Sequence, residues 1–165
     1  MAIPDPEPGL VISYAYLWRR EHDAGQEEGR KNRPCVIVLS VEKHDTGTKV
    51  TVAPITHSPP SGQRPCLEIP LRVKQRLGLD DQHSWVVLDE MNAFLWPGYD
   101  LRPIRSKQGG MAYGFLPPLL FNQIRTGILD IFLKRRGKIT PRDEAAIGHR
   151  RAIYDDESSL PLTRQ

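Results

Sequence analysis

The chain has 165 residues, enough for one domain with an appendage rather than two, and a chain this long buries about 68–70% of its unfolded surface without disulfide or metal staples. Hydrophobic content of 39% and charged content of 26% are ordinary for a soluble globular protein, and no apolar stretch approaches the ~20 residues needed to span a bilayer. The net charge of +3 permits a nucleic-acid partner without demanding one.

Met1 to Pro8 is acidic and proline-rich and lacks the basic-then-apolar pattern of a secretory signal, so a cytoplasmic protein is expected by default. Gly9 to Trp18 reads as a first strand, because its aromatic and β-branched residues suit a pleated surface. Arg19 to Asn32 is polar, contains Gly25 and Gly29, and reads as a long mobile loop that Arg33-Pro34 ends. Cys35 to Val41 is a continuous apolar run, expected as a strand buried on both faces. Asp45-Thr46-Gly47 signals a turn, and Lys49 to Ile55 alternates as the hairpin partner. Ser58 to Pro65 is a second loop, Cys66 to Ile69 a short strand, and Leu71 to Leu77 a short helix or turn, with Pro70 at its start and Gly78 as its stop. Ser84 to Asp89 reads as another strand. Met91 to Ile104 reads as irregular, with a short strand near Leu101 to Ile104.

Leu116 to Arg136 is the clear helix: Leu120, Ile124, Ile128, Ile131 and Phe132 recur at three- and four-residue spacing and give one apolar face. Lys134, Arg135 and Arg136 suit its C-terminal end, and Gly137 stops it. A domain over 1–137 is therefore followed by a polar extension over 138–165, expected to be partly disordered. Within the extension, Thr140-Pro141-Arg142-Asp143 could cap a short helix through Ala146. Cys35 and Cys66 form no CxxC, so no disulfide framework is expected. The histidines show no metal-ligand spacing, so no structural zinc is expected, and no cofactor is expected either.

Several short strands and one late helix suggest a mainly β fold, a small antiparallel barrel with a helical plug. At this point the sequence resembles the PemK/MazF toxins. Gly9-Leu10-Val11 is similar to their Gly-Asp-Val opening. Gly25-Gln26-Glu27-Glu28-Gly29, with Arg33-Pro34 and the apolar run behind it, is similar to their Gly-x-Glu-Gln-x-Gly…Arg-Pro-Val block. Val52-Ala53-Pro54-Ile55-Thr56 is similar to their Val-x-Pro-Ile-Thr block, and Ser84 to Glu90 is similar to their Ser-Val-x-x-Asp-Gln segment. The resemblance runs from about Gly9 to Gly137. It implies an SH3-like barrel with a long C-terminal helix, a homodimer, a cognate antitoxin, and metal-independent cleavage of single-stranded RNA in a groove spanning the dimer.

Metal-free RNA cleavage needs a group to take the ribose 2′-hydroxyl proton, a donor for the leaving 5′-oxygen, and a cation for the crowded phosphorane. Arg33 suits the cation, since a guanidinium is always charged and forks onto two phosphate oxygens, and the resemblance puts the family's catalytic arginine there. Thr56, at a strand end, can donate to a phosphate oxygen and matches the family's catalytic threonine. Glu27 or Glu28 is the candidate acidic partner. Asp89 falls where part of the family uses an aspartate in proton transfer. Arg30, Lys31 and His57 are candidate substrate-binding residues, and His57 titrates near neutrality. Each has a blander reading as a turn residue or a solvated charge.

The sequence departs from the family where Asp89-Glu90-Met91 runs into Asn92-Ala93 instead of x-Arg-Thr. The basic residue of that motif is missing, and Arg30 and Lys31 are candidates to replace its charge. The competing function is a degenerate barrel that binds nucleic acid or a protein partner without catalysis. A third reading is inhibition of DNA gyrase, since a related toxin class shares this fold. Dimerisation has a second motive, because Tyr14, Tyr16, Trp18, Phe94 and Trp96 exceed what one small core needs.

Overall fold

The computed structural model describes residues 3–43 and 45–142. In chain order the elements are β1 (Leu10–Ala15), α1 (Arg19–Asp23), β2 (Asn32–Lys43), β3 (Gly47–Thr56), β4 (Cys66–Glu68), α2 (Leu71–Leu77), β5 (Trp85–Val87), β6 (Glu90–Leu95), β7 (Ala112–Phe115), α3 (Pro118–Leu133) and β8 (Lys138–Pro141). The class is mainly β with helices, as expected.

β2 and β3 form the central hairpin, in register from Lys43↔Gly47 to Cys35↔Pro54, with an irregularity between Ile37 and Leu39. Gly47 turns it with φ +95, a conformation only glycine adopts freely. Cys35, Val36 and Ile37 are buried on both faces as the apolar run predicts. Beyond the irregularity, Leu39 is 54% and Val41 42% exposed, so the far end of the hairpin projects past the core.

The strand order is β4-β5-β3-β2-β1-β7, with β6 on β3 and β8 on β6. This sheet is not closed, which corrects the expected barrel. The reason lies in β3, which divides its length between partners. Lys49 to Val52 pair with β6, and Ile55 and Thr56 pair with β5. The sheet therefore branches at β3 instead of joining end to end. Nor is it wholly antiparallel, because β8 runs parallel to β6, the long crossover through α3 making that possible.

β1 alternates its side chains between two cores: Val11 joins one, Ile12 and Tyr14 the other. The first core is capped by α3 through Leu120, Ile124, Ile128 and Ile131, the face that the helical spacing predicts. The second draws on strands and their flanking segments, including Cys35, Ile37, Val50, Val52, Val87 and Phe94. Burying that face requires the sheet to curl.

Other expectations change. Arg19–Asn32 is not one long loop, because α1 occupies its start; the first strand ends at Ala15, and Trp18 serves as the residue that caps α1. Met91–Ile104 is not irregular throughout. Its first part is β6, whose polar Glu90 and Asn92 disguise a buried strand, and near Leu101 only an isolated bridge to Tyr14 remains. Tyr14, Tyr16, Trp18 and Phe94 are all buried within the chain, and of the five aromatics only Trp96, which is partly exposed, keeps surface for a two-fold interface. The sheet continues past Gly137 through β8. Thr140 is buried there, and Arg142 bonds Asp100 at 3.0 Å. Thr140-Pro141 is thus strand, not a helix cap. Asp143 to Ala146 and the rest of the expected extension lie outside the described residues. Among the described residues no helix is long and apolar enough to cross a membrane.

Candidate active site

Cys35 pairs with Pro54 across the central hairpin, and Arg33 and Thr56 stand two positions further along their strands. Alternation puts both on the same face as that pair. They line a groove of about 770 Å³, within the roughly 300–1,000 Å³ usual for ligand sites. The Arg33 guanidinium lies 4.9 Å from the centre of the Trp18 ring, a cation–π distance. Among the described residues its Nε is buried without a hydrogen-bond partner. An unsatisfied buried donor costs about 1–3 kcal/mol. Thr56 Oγ1 accepts the Ser58 N–H at 3.2 Å, which leaves its hydroxyl proton to donate.

The near wall comes from α1 and the loop after it. The Trp18 N–H donates to Glu21 Oε1 at 3.3 Å, half of a capping box. Glu21 Oε2 takes Arg30 Nε at 3.4 Å. Gly29 lets this loop press against the end of β1: a Cβ there would sit 2.4 Å from the Tyr16 carbonyl oxygen. The loop then delivers Arg30, Lys31 and Arg33 to the groove.

β6 fixes the same wall from behind. Asn92, fully buried, accepts the Leu17 N–H at 3.0 Å and donates to the Leu17 carbonyl at 2.8 Å. Glu90 accepts from the Tyr16 hydroxyl at 2.9 Å, the Arg19 N–H at 3.0 Å and Arg64 Nη2 at 2.7 Å. Arg64, from the loop before β4, also donates Nε to Asp89 Oδ1 at 3.1 Å and lies 5.4 Å from the Trp18 ring centre. On the far wall, His57 Nε2 is 2.6 Å from Asp80 Oδ2, and Lys74 Nζ is 2.7 Å from Asp80 Oδ1. The groove lining holds six cations, Arg20, Arg30, Lys31, Arg33, Arg64 and Lys74, against the carboxylates of Glu21 and Asp80 in the lining and of Asp89 and Glu90 behind Arg64. That excess draws in polyanions.

Residues 16–94 match the family described as PemK-like, MazF-like toxin of type II toxin-antitoxin system. This segment is PemK/MazF-like. It takes in the Gly25 to Gly29 loop, Arg33-Pro34, the Val52 to Thr56 block and Ser84 to Glu90, and leaves Gly9-Leu10-Val11 and α3 outside. No curated protein matches the chain at a significant level.

Of the residues singled out from the sequence, the PemK/MazF-like segment brings Arg33, Thr56, His57, Arg30 and Lys31 to one groove. Glu27 and Glu28 are exposed and are not in its lining. Asp89 lines a separate cleft of about 440 Å³, next to Arg64. The cation at Asp89 and Glu90 is Arg64, while Arg30 turns to Glu21. Sequence reasoning missed Trp18, Glu21, Arg64, Asp80 and Lys74 as groove residues. For Lys74 a signal existed: Arg72 and Arg76 sit four apart on one helical face, which points Lys74 the opposite way, with Leu77. For Arg64 none did, since a loop arginine gives no clue to what it reaches.

Proposed function

We propose that this chain is a toxin endoribonuclease that cuts single-stranded RNA without a metal. The O2′ lone pair forms the new bond to phosphorus and the P–O5′ bond breaks, leaving a 2′,3′-cyclic phosphate and a 5′-hydroxyl. Arg33 neutralises the phosphorane, and Thr56 donates to a non-bridging oxygen. One observation carries this reading. Arg33 and Thr56 line one cationic groove, and among the described residues the buried Arg33 Nε has no hydrogen-bond partner. The partners that go with it are a cognate antitoxin and a second copy of the chain, in the cytoplasm.

The test is end-labelled single-stranded RNA incubated in EDTA, with analysis of the product ends. Cyclic phosphate products that vanish in Arg33→Ala and Thr56→Ala support the reading; substrate left intact across many sequences overturns it. A second reading is a groove that binds nucleic acid or protein without cutting. It is favoured by Glu27 and Glu28 standing outside the groove and Asp89 being held by Arg64. Toxicity on expression that persists in Arg33→Ala and Thr56→Ala would favour it further.

A further inference from the structure

RNA cleavage at this groove needs a proton acceptor, and neither loop glutamate lines it. We propose that His57 is that acceptor, taking the 2′-hydroxyl proton on Nδ1, with Asp80 and Lys74 as positioning residues behind it. This rests on the nuclease reading and deepens it.

A half-exposed His–Asp contact is ordinarily a surface pair of little consequence. Here the carboxylate is fixed from behind. Asp80 Oδ1 takes Lys74 Nζ at 2.7 Å and the Gln82 N–H at 3.1 Å. Lys74 Nζ also donates to the Gln82 carbonyl. Oδ2 is thereby left to face His57 Nε2 at 2.6 Å. Only 2% of the Lys74 side chain is exposed. Burying an ammonium is costly unless it is paired, so its position in α2 serves to hold Asp80. An ionised carboxylate on Nε2 selects the tautomer with the proton on Nε2, leaving the Nδ1 lone pair for substrate. His57 adjoins Thr56 in sequence and shares its groove with Arg33. Base, orienting carboxylate and phosphate-binding cation thus stand together, the arrangement that activates a hydroxyl nucleophile.

In the step, the 2′-hydroxyl proton passes to Nδ1 as the O2′–P bond forms. The P–O5′ bond breaks with its electron pair on O5′, which takes a proton from water. The imidazolium then returns its proton to water. Asp80 stays ionised throughout. The other charged groups around the ring's groove are Arg30, Lys31 and Arg33 from the segment entering β2, Arg64 from the loop before β4, and Arg20 and Glu21 from α1.

The test is the pH–rate profile of RNA cleavage for the unaltered chain, His57→Ala and Asp80→Asn. The unaltered chain should show a limb rising with pH to a plateau as the ring becomes neutral. His57→Ala should lose that limb and about 100-fold in rate, with part restored by added imidazole. Asp80→Asn should keep the limb but lower its plateau, since Nε2 loses the carboxylate that holds its proton and the ring's tautomer. If Asp80→Asn strands Lys74 and fails to fold, Lys74→Met with Asp80→Asn removes the stranded charge and gives the same readout. His57→Ala within three-fold of the unaltered rate overturns the assignment, as does a slow variant that keeps the limb and ignores imidazole. In both cases the nuclease reading stands. An unaltered chain that cuts no RNA sinks the reading and the assignment together.

Discussion

Lys74 reaches Asp80 across 2.7 Å from inside the protein: 2% of the lysine side chain meets solvent, against 45% of the aspartate. The pair is asymmetric, and so are its two deletions. Asp80→Ala strands a buried ammonium and should cost more stability than Lys74→Met, which leaves a carboxylate that water can still reach. We expect about 2–4 kcal/mol for the first and about 1–2 kcal/mol for the second, discounted from fully buried pairs for the aspartate's exposure. Urea unfolding of the two variants checks the order.

The same pair has a pH signature. Burial would raise the Asp80 carboxyl, but the Lys74 hydrogen bond, the charges of His57 and Lys74, and the Gln82 N–H hold it below its ordinary value. A carboxyl depressed in the folded state contributes stability above its unfolded value of about 3.9, lost as pH falls through the folded value. Thermal unfolding should therefore fall more steeply below about pH 4 in the unaltered chain than in Asp80→Asn. Equal slopes would count against an ionised, clamped Asp80.

Arg33 should trade stability for activity. Among the described residues its buried Nε lacks a partner, so Arg33→Met removes an unsatisfied donor and is expected to leave the melting temperature unchanged or raised. Cleavage should fall by about 100–1,000-fold. Arg33→Lys keeps the charge but loses the fork, and should fall between. Calorimetry beside the cleavage assay tests both halves.

Glu90 and Asn92 clamp the chain between β1 and α1. Asn92→Ala leaves both backbone groups of Leu17 unbonded in a fully buried setting, and a loss of about 2–4 kcal/mol is expected in denaturant unfolding. Asn92→Leu should do no better, because it also leaves both groups unbonded.

Ending the chain at Gly137 removes β8, buried Thr140 and the Arg142–Asp100 pair. Such a truncation should melt well below a chain ending at Arg142, with circular dichroism as the measure. Equal melting would mean that β8 adds little to the sheet.

The parts of this fold legible in the sequence are those with a strong period or a turn residue. The α3 face from Leu120 to Ile131, the Asp45-Thr46-Gly47 turn and the Gly78 stop after α2 follow from local rules. So does the shared face of Arg33 and Thr56, once the hairpin between them is recognised. What stayed hidden depends on contacts far apart in sequence. β6 looked irregular because Glu90 and Asn92 are polar, yet both are satisfied by residues more than seventy positions away. Open or closed is not a local property either, since it turns on β3 dividing its length between β5 and β6. The carboxylates in the groove lining depend on such contacts too. Glu27 and Glu28 fit a linear motif, whereas Glu21 and Asp80 arrive from a helix and a turn that the motif does not mention.

Arg64 places a guanidinium against Asp89 and Glu90 from a loop some twenty-five positions upstream. A basic residue absent after Glu90 in the primary structure is thus met, at Asp89 and Glu90, by one from another segment. A search that demands a basic residue right after Asp89-Glu90 would pass over this chain, so sequences like it are better surveyed by where charges meet in space than by the order in which they are spelled.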